Sequence, residues 1–155
     1  MDIKFLRGNA QIPTLGSAVA AGYDLYAATE LETYPDGDMR YETIEIPPHE
    51  TRLIPTGIAM AIPEGYWGGI YARSGLATKQ GLRPANCVGV IDADYRGEIF
   101  VALHNDTNDY RYVASGDRIA QLIFHQAARV DFWNPVKELD ITDRGEGGFG
   151  STGSK

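Results

Sequence analysis

The 155-residue chain has one cysteine, Cys87, three histidines, and no apolar run approaching the ~20 residues a membrane helix needs. A single thiol excludes an internal disulfide framework and any multi-cysteine zinc site. His49, His104 and His125 are scattered without ligand spacing, so each reads as an ordinary surface or core histidine. Basic residues are in deficit. Fourteen Lys and Arg stand against 21 Asp and Glu, a formal charge of -7, which removes the basic face that duplex nucleic acid requires. A small anionic ligand is still compatible with that balance, because a few arginines and a metal reverse the field locally. The opening residues MDIKFLRGNAQIP contain no apolar signal-peptide core, and the expectation is a soluble cytoplasmic protein.

What the chain does contain points to β structure. With 43% hydrophobic and 23% charged residues it can bury one domain's core, and 18 Gly and 8 Pro supply many turns. Apolar residues alternate or come in short blocks, with no long stretch at helical spacing. Strands are expected over Ile3–Arg7, Tyr23–Ala27, Thr43–Ile46, Glu50–Pro55, Ile58–Ile62, Trp67–Ala72, Cys87–Ile91, Ile99–His104, Tyr110–Val113 and Ile119–Phe124. Pro35-Asp36-Gly37, Pro47-Pro48, Pro63-Glu64-Gly65 and Ser115-Gly116-Asp117 separate them as turns. One short helix is expected over Leu76–Lys79. This pattern reads as an all-β barrel or sandwich.

Two segments depart in composition. Glu30 to Glu45 holds six acidic residues and one Arg40, and reads as a solvated hairpin with Asp36-Gly37 at its tip. The tail from Arg144 is glycine-rich, as flexible ends are, yet it carries a lone Phe149, which suits a lid closing over a flat ligand.

Four further segments carry groups capable of chemistry, although each has an ordinary structural reading. Tyr71-Ala-Arg-Ser-Gly-Leu-Ala-Thr-Lys79 joins a strand to a helix start, where free amides, the Ser74 hydroxyl and the Arg73 guanidinium suit phosphate oxygens; Ser74 is equally a plain helix N-cap. Asn86-Cys-Val-Gly-Val-Ile-Asp-Ala-Asp-Tyr-Arg-Gly97 presents Asp92 and Asp94 either as an acidic hairpin turn or as a general base or metal-associated group. In Gly116-Asp-Arg-Ile-Ala-Gln-Leu-Ile-Phe124, Arg118 and Gln121 fit an exposed strand. Ala20-Ala-Gly-Tyr-Asp-Leu-Tyr-Ala27 is a strand with Asp24 out of place among apolar neighbours.

Taken in order with the tail Arg-Gly-Glu-Gly-Gly-Phe-Gly-Ser-Thr-Gly153, these segments closely resemble the five ordered motifs of the trimeric dUTP pyrophosphatases (dUTPases). The resemblance covers about Ala20 to Gly153. It implies a distorted jelly-roll β-barrel (β-clip), with a barrel domain over 1–143 and an arm over 144–155. It also implies hydrolysis of dUTP to dUMP and pyrophosphate with Mg²⁺, which keeps uracil out of DNA and supplies dUMP for dTTP synthesis. In that family a homotrimer builds each site from two subunits, and the arm of the third closes it.

The resemblance also assigns residues. Asp92 corresponds to the carboxylate that activates water for attack on the α-phosphorus. Arg73, Ser74 and Gly75 match phosphate contacts, Gln121 a residue near the phosphates, and Arg144 a γ-phosphate contact. Asp24 supports Arg73 and the metal's water shell without ligating the metal, which the triphosphate and waters hold. Arg118 is given a structural place at a subunit contact. Asn86, Gly89, Val90, Ile91 and Phe100 belong to the hairpin that reads uracil, whose backbone would leave cytosine's donors and acceptors unpaired. Tyr95 matches the ring beneath the deoxyribose, where a 2′-OH would clash, and Phe149, with Gly150 beside it, would stack on the base.

The acidic stretch from about Glu32 to Thr43 is longer than the family's usual connection and could hold a protein partner. A related reading is dCTP deaminase, which carries a catalytic Glu in the strand after the Asp motif. Here that run is Val101-Ala-Leu-His-Asn105, with Ala102 in the Glu position.

Overall fold

The computed structural model describes residues 1–148. Its strands run β1 (Ile3–Phe5), β2 (Thr14–Leu15), β3 (Tyr23–Tyr26), β4 (Leu31–Thr33), β5 (Met39–Tyr41), β6 (Ile44–Ile46) and β7 (Thr51–Pro55). Then come β8 (Ile58–Met60), β9 (Tyr66–Tyr71), helix α1 (Ser74–Gln80), β10 (Leu82–Pro84), β11 (Gly89–Ile91), β12 (Phe100–Asn105), β13 (Arg111–Val113) and β14 (Arg118–Gln126). The five-stranded sheet has the order β11-β9-β14-β3-β2, and a three-stranded sheet has β10-β12-β7. Pairs β1-β8, β13-β6 and β4-β5 complete the set. Each pairing is antiparallel, as expected for an all-β jelly roll with one short helix, although no single ladder closes around the described residues.

Alternation places the core. In β12, Val101, Leu103 and Asn105 point inward, packing with Ile54 of β7 and Leu82 of β10. Leu25, Ile58, Ile70, Ile99, Ile119 and Leu122 fill the space between the sheets, each worth about 1.5–3 kcal/mol when fully buried. A register shift between Arg118 and Ala120 lets Ile119 and Ala120 both face inward, which strict alternation forbids. Asn105 is fully buried, and its side-chain amide donates to the carbonyls of Ile46, Pro47 and Asp109. Each buried carbonyl stripped of its donor costs about 1–3 kcal/mol, so one side chain pins two loops.

Several local expectations shift. The strand expected from Cys87 starts only at Gly89, because Cys87 takes φ 59° inside a turn closed by its amide on Pro84 O. The helix extends to Ser74–Gln80 and ends at Gly81, whose φ of 67° lets its amide bond Ala77 O. Strands β2 and β10 were not expected. Both are too short to show periodicity and exist through pairing, β10 through Leu82 opposite Asn105. The acidic segment is a hairpin as expected, with Leu31 opposite Tyr41 and Thr33 opposite Met39, and Tyr34 and Asp38 joined across the tip.

Beyond Gln126 the described chain forms no strand or helix. It exposes Val130, Phe132, Trp133, Val136, Leu139 and Ile141 within twelve residues. So dense a run of bare apolar side chains is the mark of a surface that another surface covers.

Candidate active site

Asp24, the misplaced carboxylate of β3, is 3% exposed and explains itself by its partners. Its Oδ1 accepts from Arg73 Nε at 2.9 Å and its Oδ2 from Arg118 Nη1 at 3.2 Å. Arg73 also donates to the Arg118 carbonyl at 3.1 Å. A buried carboxylate between two guanidiniums is a charge-compensated anchor, costly to strip of either partner. It holds Arg73 at the mouth of α1. Arg118, given a structural role by the resemblance, reaches Asp24 within its own chain and keeps half of its side chain exposed. Sheet pairing aligns Asp24, Gln121 and Tyr71 in one row, which brings Gln121 beside the same anchor.

At the start of α1, Arg73 occupies the N-cap position and has no side-chain capping bond, so Ser74 is the first helical residue and not the cap. The first helical bond runs from Ala77 N–H to Arg73 O, which leaves the Ser74, Gly75 and Leu76 amides without helical partners. The Ser74 hydroxyl makes no hydrogen bond among the described residues. Gly75 has an ordinary φ, and a Cβ there would meet nothing within 4 Å. Neither strain nor packing therefore requires glycine at this position, whereas close approach of a ligand would.

The hairpin from Asn86 to Phe100 grows from β11, whose Gly89, Val90 and Ile91 pair with Ile70, Gly69 and Gly68 of β9. Asp92 follows directly and is exposed, and its carboxylate has no partner among the described residues. Val90, Asp92, Asp94 and Arg96 line a groove of about 760 Å³ with Tyr66, Trp67 and Arg129. Phe100 is 40% exposed and Tyr95 43%. Tyr95 nevertheless has a fixed end, because its hydroxyl donates to Glu98 O at 2.8 Å.

The expected residues therefore fall into separate groups. Asp24, Arg73, Ser74, Gly75 and Gln121 come together at one end of β9. Asp92 lies one residue beyond the Ile91–Gly68 pair, toward the other end. Arg73 is five residues past Gly68 in the opposite direction, along backbone that stays extended, so the two stand about 20 Å apart along the strand. Within a single chain the two groups therefore stand at opposite ends of the β9–β11 strand pair. Arg144 lies on the exposed tail, its Nε donating to Gly147 O at 2.8 Å, while Phe149 and Gly150 lie outside the described residues.

The histidines do not converge. His49 bonds Asn108, His104 bonds Thr51, and His125 stacks on Trp67 with its Nε2 3.0 Å from the Tyr71 hydroxyl. Among the described residues no three His, Cys, Asp or Glu side chains gather at one point. No helix among the described residues is long and apolar enough to cross a membrane.

A family model for dUTPase matches residues 40–153. The chain is 46% identical to deoxyuridine 5′-triphosphate nucleotidohydrolase of Candida albicans, over 92% of this chain and 81% of that protein. It is 44% identical to the Syntrophotalea carbinolica protein of the same name, over 99% and 96%. The fold superposes on a dUTPase variant of Staphylococcus bacteriophage 80alpha solved with dUpNHpp, with TM-score 0.79 and 28% identity, covering 98% of this chain and 97% of that one. The family model takes in Arg73, the Asp92 hairpin and the tail as far as residue 153, and the Syntrophotalea carbinolica match spans 99% of the chain: the chain belongs to the dUTPase family.

Proposed function

We propose that the protein hydrolyses dUTP to dUMP and pyrophosphate at a site assembled from more than one subunit. The separation of Asp92 from Arg73 along β9 carries this reading. Asp92 takes a proton from a water as the water oxygen bonds the α-phosphorus, and the bond to the bridging oxygen breaks, releasing pyrophosphate with the electron pair. Arg73, the Ser74 hydroxyl and the Gly75 amide of a neighbouring subunit hold the phosphate oxygens. Gln121 stands beside them, and Asp24 keeps the Arg73 guanidinium aimed. Asp24 would support the water shell of a bound Mg²⁺ without ligating the ion. Mg²⁺, when bound through the triphosphate, neutralises charge on its oxygens. Asn86, Gly89, Val90, Ile91 and Phe100 frame the uracil, Tyr95 lies under the deoxyribose, and the arm from Arg144, with Phe149 and Gly150, closes over the nucleotide.

A homotrimer satisfies both the split site and the bare apolar run after Gln126. Complementation tests it. Asp92→Asn and Arg73→Ala chains, each nearly inactive alone, are unfolded and refolded together. Random mixing should restore about a quarter of the parent activity, because a shared site can draw one intact residue from each variant. No recovery would place both residues in one chain's site.

The hairpin β4–β5 supports a second role as a protein-binding element. Leu31, Met39 and Tyr41 project from one of its faces and are exposed, and Glu32 and Arg40 occupy the other. A pull-down with and without residues 32–43 should lose a bound protein on deletion while dUTP hydrolysis persists. Identical capture by both chains would remove the role.

A further inference from the structure

The Tyr95 ring is more firmly held than an aromatic 43% exposed would be by itself. Exposed side chains ordinarily exchange rotamers in nanoseconds. Here the hydroxyl is tied to Glu98 O. The Glu98 carboxylate in turn accepts from Arg7 Nε at 2.7 Å, Arg7 Nη2 at 3.1 Å and the Gly57 amide at 2.9 Å. That hydrogen bond to Glu98 is the main reason the Arg7 guanidinium is held still more basic than usual. The next residue, Ile99, is bonded to Ile58 O through its amide and to Thr56 N–H through its carbonyl. Glu98 is thus immobilised on both its side chain and its backbone. On the ring's other flank, a Cβ on Gly97 would lie 2.5 Å from the Tyr95 hydroxyl oxygen and 2.7 Å from its Cζ, a distance no real contact tolerates. Gly97 has no positive φ to require glycine, so the absent side chain serves the ring.

We propose that Gly97 and the Arg7–Glu98 pair are positioning residues that hold the Tyr95 ring rigid and thereby set the preference for deoxyribonucleotide over ribonucleotide. The inference rests on the reading that Tyr95 faces the sugar. Exclusion by contact is only as strong as the wall is stiff. A ring free to swing yields to a 2′-OH at little cost, whereas a ring tethered at its hydroxyl and seated over a bare Cα must be displaced against a bidentate ion pair. The tether spans 91 residues of sequence between Arg7 and Glu98.

The test compares kcat/KM for dUTP and UTP in the parent, Tyr95→Ala, Tyr95→Phe, Gly97→Ala and Glu98→Gln. Gly97→Ala pushes the ring aside. Tyr95→Phe keeps the ring and cuts the tether, and Glu98→Gln puts a donor where Arg7 needs an acceptor. Each should lower the dUTP-to-UTP ratio by about tenfold, carried by KM more than by kcat. A residue needed only for folding would depress both nucleotides together and leave the ratio alone. If Tyr95→Ala lowers the ratio while the other three variants keep the parent's, the positioning role is overturned and the sugar-facing reading stands. If Tyr95→Ala itself leaves the ratio unchanged, both fall. Should Gly97→Ala fail to fold, Tyr95→Phe decides alone, since it adds no atom.

Discussion

Asp92→Asn should slow dUTP hydrolysis by about 10²–10⁴-fold while dUTP binding stays close to the parent's. The substitution keeps the size of the side chain and its capacity to hydrogen-bond, and removes only its ability to take a proton from water. The local structure explains why so small a change should be so damaging. Asp92 follows the last residue of β11, and its carboxylate makes no hydrogen bond or ion pair among the described residues. Its oxygens are therefore open to water and are not committed to holding the fold. The backbone bond of the turn, Tyr95 N–H to Asp92 O at 3.2 Å, does not involve the side chain and survives the substitution. Single-turnover rates together with equilibrium binding of a non-hydrolysable dUTP analogue separate the two effects. A turnover within a few-fold of the parent would show that Asp92 is not the base, and a parallel collapse of binding would make it a binding residue instead.

Ending the chain at Asp143 should leave a folded trimer by light scattering that hydrolyses dUTP orders of magnitude more slowly. Such a chain retains every strand of the described residues, the last of which ends at Gln126, and it retains the apolar run through Ile141. It loses Arg144 and everything after it. In the free chain Arg144 folds back on Gly147 O, and Gly145 takes φ 50° with its amide on Thr142 O. Such a turn is local and exposed, contributing little to the barrel. On the proposed reading, the Arg144 guanidinium leaves Gly147 O for the γ-phosphate when dUTP binds. Phe149→Ala should give a milder form of the same defect, chiefly in KM. Near-full activity in the shortened chain would make the tail an ordinary chain end, and loss of the trimer would make it part of the assembly.

The architecture and the chemistry of the site were legible in sequence to different depths. Alternation along Ile99–His104, and along β14 beyond the register shift at Ala120, reports which face of each strand is buried, because the side-chain period of a strand is two and burial selects one face. The turn residues report where those strands end. Order and content of the five motifs identify the family, since Arg73, Ser74, Asp92 and Tyr95 are chemical choices written in the residues themselves. Strands β2 and β10 carry no such mark. Two or three residues show no period, and they become strands only because Tyr23 and Asn105 stand opposite. The partners of Asp24 are half visible: the motifs pair it with Arg73, while nothing in the local sequence links it to Arg118, 94 residues distant. The tie from Arg7 to Glu98, and the space that Gly97 leaves under Tyr95, were not visible at all. By itself the sequence determined which groups are available and which faces are buried, because these follow from residue type and local period. Only the tertiary structure decided which groups meet and which stand about 20 Å apart along β9, because contact between distant residues depends on the path of the whole chain.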